Sequence, residues 1–254
     1  MAIIKDIQLS LLKEYINNPM EKRMHHNISR LCEDEIFFKQ TRCITSLYSR
    51  LLPRLVTKYE KGILIHCVEN MDLLNESERA CHVFPEYINI FLGFDSEKYF
   101  SLISDREKKE LVLNLIHAEM KKIAEQYNWD LESLEGVYNK IVDLNYTNHF
   151  SYKKKSSTNK KYMCSIICEH EVSYADIYLE IKTYRSKKLI KKELLVREKE
   201  TYEAEILRHV GKILWTLDHK VTIMDERNQT GWILTFLEKE HISDLIWKLE
   251  RIEN

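Results

Sequence analysis

The chain has 254 residues, 44% of them hydrophobic and 31% charged, with a formal net charge of −1. That is enough apolar material for one large core or two small ones, and too much for a disordered chain. Only five glycines and three prolines occur, and no G-x-G-x-x-G, G-x-x-x-x-G-K-[ST] or G-x-S-x-G, which excludes enzymes built on glycine-rich phosphate loops or nucleophile elbows.

Residues 3–17 place Ile4, Ile7, Leu11, Leu12 and Tyr15 at helical spacing, and Asn17-Asn18-Pro19 should end that helix. A second helix is expected over about 21–33. A third, over about 35–61, carries Phe37, Thr41, Ile44, Tyr48, Leu51, Leu55 and Tyr59 on one side, with Pro53 as a kink or break and Gly62 as its C-terminal cap. Residues 63–68 and 87–94 read as short strands. Ser104 with Glu107 predicts a capping box for a helix whose stripe is Leu111, Leu115, Ile116, Met120 and Ile123. Asp130 should cap a companion carrying Leu131, Leu134, Tyr138, Ile141 and Val142, the short Asn128-Trp129-Asp130 joint making the two antiparallel.

Beyond Tyr146 the pattern changes to strands, at about 148–153, 160–171, 175–184, 190–197, 213–224 and 231–236. Residues 200–211 stay open between strand and helix, since Tyr202, Ile206 and Val210 fit either. An amphipathic helix with Ile242, Leu245, Ile246, Leu249 and Ile252 on one side is expected to close the chain. The predicted class is α+β: a helical N-terminal half with a small β-sheet (1–146), packed against an antiparallel β-sheet with a terminal helix (147–254).

Six cysteines (Cys32, Cys43, Cys67, Cys81, Cys164 and Cys168) lie mostly in apolar patterns without the spacing of a disulfide framework. No secretory signal opens the chain, and no apolar run approaches the ~18–20 residues of a membrane span. The expectation is a cytoplasmic protein with reduced thiols and no membrane partner. Charge is uneven: residues 151–200 hold 13 Lys and Arg against 7 Asp and Glu, a local +6, whereas residues 201–254 carry −3. A basic region of this kind can meet nucleic acid or an acidic protein, or serve only as a solvated, lysine-rich sheet edge.

The organising stretch is residues 160–184, two alternating runs. In the second, Ile177, Leu179, Ile181 and Thr183 share one face, and Asp176, Tyr178, Glu180, Lys182 and Tyr184 the other. In the first, Tyr162, Cys164, Ile166 and Cys168 oppose Met163, Ser165, Ile167 and Glu169. Val172-Ser173-Tyr174 lacks a two-residue turn signature, so a longer link is expected.

Glu180-x-Lys182, preceded by Tyr178 and Leu179, resembles the hydrophobic-E-x-K strand of the PD-(D/E)xK nuclease superfamily. A helix–three-strand–helix–strand order over 131–224 is compatible with that core. The resemblance implies that Glu180 and a second acid, one of Glu169, Glu171 or Asp176, hold Mg²⁺, with Lys182 assisting the attacking water. The superfamily's proline has no counterpart. Taken without the resemblance, the same residues make a solvated sheet face. Cys164, Cys168 and His170, like His66-Cys67 and Cys81-His82, lack zinc-knuckle spacing and read as buried thiols, so no metal ligand is assigned.

Tyr174, Tyr178, Lys182, Tyr184 and Arg185 are the interface candidates, because exposed aromatics among charges are typical of binding hot spots. The favoured reading is a non-enzymatic cytoplasmic inhibitor that binds a protein partner, of the immunity, antitoxin or phage-conflict type, with no catalytic residue and no cofactor. The alternative is a Mg²⁺-dependent nuclease. Partner identity and oligomeric state are left open.

Overall fold

The computed structural model describes residues 1–13, 28–199, 201–237 and 246–253. The chain is mixed α+β and divides into two compact units, Met1–Thr147 and Asn148–Asn254. Among the described residues no helix is long and apolar enough to cross a membrane.

The first unit runs β1 (Ala2–Ile3), β2 (Asp6–Leu12), α1 (Ile28–Leu51), β3 (Val56–Thr57), β4 (Gly62–Val68), a 3₁₀ turn (Met71–Leu73), α2 (Glu76–Cys81), β5 (Tyr87–Gly93), α3 (Ser96–Ser101), α4 (Asp105–Tyr127) and α5 (Leu131–Asp143). Strands β2, β4 and β5 form a parallel sheet in that order, and β1 pairs antiparallel with β3. Parallel neighbours need a long crossover, which α1 supplies between β2 and β4. Phe37, Ile44, Leu47 and Tyr48 of α1 are buried, as are Val112, Leu113, Ile116, Met120 and Ile123 of α4 and Leu134, Val137 and Ile141 of α5.

Several expectations are corrected here. Residues 3–17 are not a helix, since strands occupy 2–3 and 6–12; residues 14–27 lie outside the described residues. Ile7, Leu9 and Leu11 alternate with Asp6, Gln8 and Ser10, and pairing with β4 buries the alternate set. The long helix ends at Leu51, not near 61, because Pro53 bars the helical conformation from Leu52. Gly62 opens a strand instead of capping a helix. A Cβ there would sit 2.5 Å from the Tyr87 ring, so this close strand approach requires glycine. Ser104 occupies the N-cap position of α4 but makes no side-chain cap bond, whereas Asp130 caps α5 through the backbone N–H groups of Glu132 and Ser133. Asn128, left-handed at φ 54°, ends α4.

The second unit runs β6 (Asn148–Ser156), β7 (Tyr162–His170), β8 (Ala175–Thr183), β9 (Leu189–Glu198), α6 (Glu203–Arg208), β10 (Lys212–Leu217), β11 (Lys220–Met224), β12 (Thr230–Leu237) and β13 (Ile246–Glu253). The strands form two antiparallel meanders, β6-β7-β8-β9 and β10-β11-β12-β13. One apolar cluster joins them: Cys164, Ile166, Ile177, Leu179 and Ile181 from the first sheet meet Ile213, Val221, Ile223, Leu234 and Phe236 from the second. Residues 171–174 link β7 to β8, closed by Glu171 N–H donating to the Tyr174 carbonyl at 2.8 Å.

The expected terminal helix is a strand. Residues 246–253 pair with β12 from Leu237↔Ile246 to Thr230↔Glu253, and Trp247 packs on Phe236 at 4.9 Å; residues 242–245 lie outside the described residues. Residues 213–224 are two strands turning at Asp218-His219, and the ambiguous 200–211 region contains the short helix α6. Four strands, not three, stand between α5 and α6, which departs from the nuclease core order.

Candidate functional site

The face of β8 turned away from the core carries Asp176, Tyr178, Glu180 and Lys182, while Ile177, Leu179 and Ile181 are buried on the other. Register sets their neighbours. Asp176 lies between Glu169 of β7 and Arg197 of β9, Tyr178 between Ile167 and Leu194, and Glu180 between Ser165 and Lys192. Two bulges in β9, where Leu195 and Ile190 are left unpaired, keep Arg197, Leu194, Lys192 and Leu189 on this outer face.

Every charge of the alternative catalytic set in these strands has a counter-charge. Arg197 Nε and Nη2 donate to the two oxygens of Asp176, each at 2.7 Å, a bidentate fork. The Tyr178 hydroxyl donates to Asp176 Oδ2 at 3.2 Å. Lys192 Nζ lies 2.5 Å from Glu169 Oε1 and 4.0 Å from the centre of the Tyr178 ring. Arg197 also lies 4.0 Å over the Tyr174 ring. Lys182 Nζ is 2.5 Å from Glu180 Oε2. Glu171 sits apart, in the β7–β8 link.

The covering side chains leave Asp176 only 3% and Glu180 5% exposed on a face that does not belong to the core. The Arg197 fork, opposed by burial, holds the Asp176 carboxyl below its ordinary value. Burial, reinforced by the negative Asp176 and Glu169, pushes the Tyr178 hydroxyl up to about 12. The residues do not fit a magnesium site: a divalent ion would have to displace Arg197, Lys192 or Lys182 from each carboxylate in turn. Among the described residues no three His, Cys, Asp or Glu side chains gather as metal ligands. Cys164, Cys168 and His170 are buried, and burial pushes the Cys164 thiol up, away from the reactive thiolate.

Of the sequence-predicted interface residues, Tyr174, Tyr178 and Lys182 line this face, whereas Tyr184 and Arg185 lie in the β8–β9 turn at the far end of β8 from Tyr174. Sequence reasoning missed Arg197 and Lys192, and with them Leu189 and Leu194, which are 48% and 45% exposed. The bulges hide them, since a simple period-two reading of β9 loses its phase twice.

The first unit holds further polar groupings. Ser10 Oγ lies 2.8 Å from His66 Nδ1, and His66 Nε2 3.5 Å from Asn89 Oδ1, across three adjacent strands. Asn89 is held by the backbone of Phe84 and Tyr87, burial lowers the His66 pKa, and Phe91 stacks on its ring at 4.5 Å. His66 is buried at the centre of this ladder, and Ser10 and Asn89 on either side of it are half-buried. At the C-terminal ends of β4 and β5, a cleft of about 490 Å³ is lined by Glu69, Gly93, Phe94, Asp95, Ser96 and Glu97. Asp95 caps α3, and Glu69 accepts from Ser96 and pairs with Lys13, so two of its acids serve the fold.

No protein-family model matches the chain, and no curated protein matches it.

Proposed function

We propose that this protein is a non-enzymatic inhibitor that docks on a protein partner through the outer face of the β6–β9 sheet. The observation that carries the reading is the Tyr174–Arg197–Asp176–Tyr178–Lys192–Glu169 chain, in which each aromatic or charged group is held by the next. Such a surface loses little side-chain freedom on binding, and its tyrosines and arginine are the residue types that dominate binding energy. Leu189 and Leu194 add exposed apolar area beside them.

An immunity, antitoxin or phage-conflict role suits a protein that works by surface complementarity with no cofactor. Free thiols at Cys43, Cys67, Cys81, Cys164 and Cys168 suit a reducing, cytoplasmic setting. The nuclease alternative is disfavoured by the cations seated on Asp176, Glu169 and Glu180.

The test is recovery and reconstitution of the partner. Tagged wild-type protein and a Tyr178→Ala/Arg197→Ala variant are purified from the native cell, and the co-purifying protein is titrated against both. The reading expects at least a tenfold loss of affinity in the folded variant. Mg²⁺-dependent cleavage of DNA or RNA that disappears in Glu180→Ala and Lys182→Ala would assign the strand to nuclease chemistry instead.

A further inference from the structure

Independently of the docking face, the hairpin tips at one end of the same sheet carry a second surface. Residues 157–161 join β6 to β7 and residues 184–188 join β8 to β9, and Tyr184 N–H donates to the Lys161 carbonyl at 2.7 Å, tying one tip to the other. Lys154, Lys155, Lys160, Lys161, Arg185, Lys187 and Lys188 are all exposed here. Residues 154–161 and 182–191 together contain no Asp or Glu. Among the described residues Glu180 pairs with Lys182 and Glu193 with Lys191, while Asp218 reaches the first tip, accepting from the Asn159 N–H at 3.0 Å, and Lys187 lies 4.7 Å over the Tyr184 ring.

A second observation singles out two of these cations. Lys160 and Lys187, one per tip, adopt the left-handed conformation at φ 55° and 56°. A glycine or asparagine would hold either turn with less strain, so local stability does not account for lysine at both.

We propose that the paired tips bind the phosphodiester backbone of a nucleic-acid duplex without reading its sequence. Lysine is depleted from protein–protein interfaces, while a predominantly positive cluster of flexible ammonium groups is the footprint of phosphate contact. In the strand order β6-β7-β8-β9 the tips are centred about two strand spacings, roughly 10 Å, apart. That is close to the ~12 Å major groove of B-form DNA, so each tip meets one phosphate row.

The experiment is fluorescence anisotropy on the full chain with a mixed-sequence DNA duplex of about 20 base pairs, between about 50 and 200 mM salt. Single-stranded RNA of equal length and polyglutamate are the comparison ligands. Neutralising Lys160, Lys161, Arg185, Lys187 and Lys188 to Gln is expected to weaken duplex binding about thirty-fold or more and to flatten the log–log salt slope by about four. A control, Lys199→Gln/Lys212→Gln, should bind as wild type. Lys160→Gly/Lys187→Gly should raise the melting temperature while weakening the duplex, and it decides the matter if the five-fold variant fails to fold. The proposal is overturned by any of four results: no duplex binding at low salt, tip variants that bind as wild type, a control that loses as much, or tighter binding of polyglutamate or single-stranded RNA than of duplex.

Discussion

The outer face of the β6–β9 sheet and its hairpin tips draw on the same tyrosines, lysines and arginines and arrange them oppositely. On the face, Asp176, Glu169 and Glu180 each hold a cation, and the tyrosine rings lie under Arg197 and Lys192. At the tips seven cations project with no acid of their own segments among them. The first arrangement spends its electrostatics on internal order and leaves a stiff, nearly neutral surface suited to shape complementarity. The second has Lys187 over the Tyr184 ring and Asp218 at Asn159, and is otherwise dominated by exposed positive side chains. The local +6 of residues 151–200 therefore belongs mostly to the sheet's end and not to its face.

Removing the support common to both regions has the largest expected effect. Leu179→Ala empties a 1%-exposed position beneath Tyr178 and Glu180, and should cost about 2–4 kcal/mol in urea denaturation. Face and tips should both fail in it; loss of one alone would mean they do not share a scaffold.

Arg197→Met acts on the face only. Asp176 has a folded pKa below its unfolded value, so its contribution is present above the unfolded pKa and disappears as pH falls through the folded one. The acid-unfolding midpoint of the variant should therefore move to higher pH, with duplex binding unchanged.

Asp34 carries the opposite sign. Burial pushes it up to about 6, against the pull of Lys13 and with Glu33 and Glu69 reinforcing, so the native state holds more protons between the unfolded pKa and 6 and stability falls as pH rises through that window. Asp34→Asn should gain on the order of 1 kcal/mol at neutral pH and flatten the profile between the unfolded pKa and about 6. It lies in the first unit, and neither face nor tips should respond.

Smallest is the strain at the tips: Lys160→Gly and Lys187→Gly should each stabilise by about 0.5 kcal/mol, read as a rise in melting temperature.

What could be read from sequence follows a physical division. Alternation in β7 and β8 was legible because both faces are consistent over nine residues, and Ile177, Leu179 and Ile181 are where that pattern puts them. Strands β2 and β13 resemble helices in sequence because Ile4-Ile7-Leu11 and Leu245-Leu249-Ile252 satisfy helical spacing as well. Pairing decides between the periods, for β2 with β4, distant in the chain, and for β13 with its neighbour β12. Tyr178 and Lys182 of β8, and Tyr174 just before it, share a face that the alternation of one stretch already indicates. Arg197 and Lys192 could not, because their place depends on a register shifted twice by bulges. Lys160 and Lys187 stand out only through backbone conformation, which no composition reveals.

The most direct measurement is hydrogen–deuterium exchange on the protein alone and in its purified complex with the native partner. The account predicts added protection concentrated at residues 174–180 and 192–197, lost in parallel with affinity in Tyr178→Ala/Arg197→Ala. Protection confined to the first unit, or a complex indifferent to that double substitution, would contradict it.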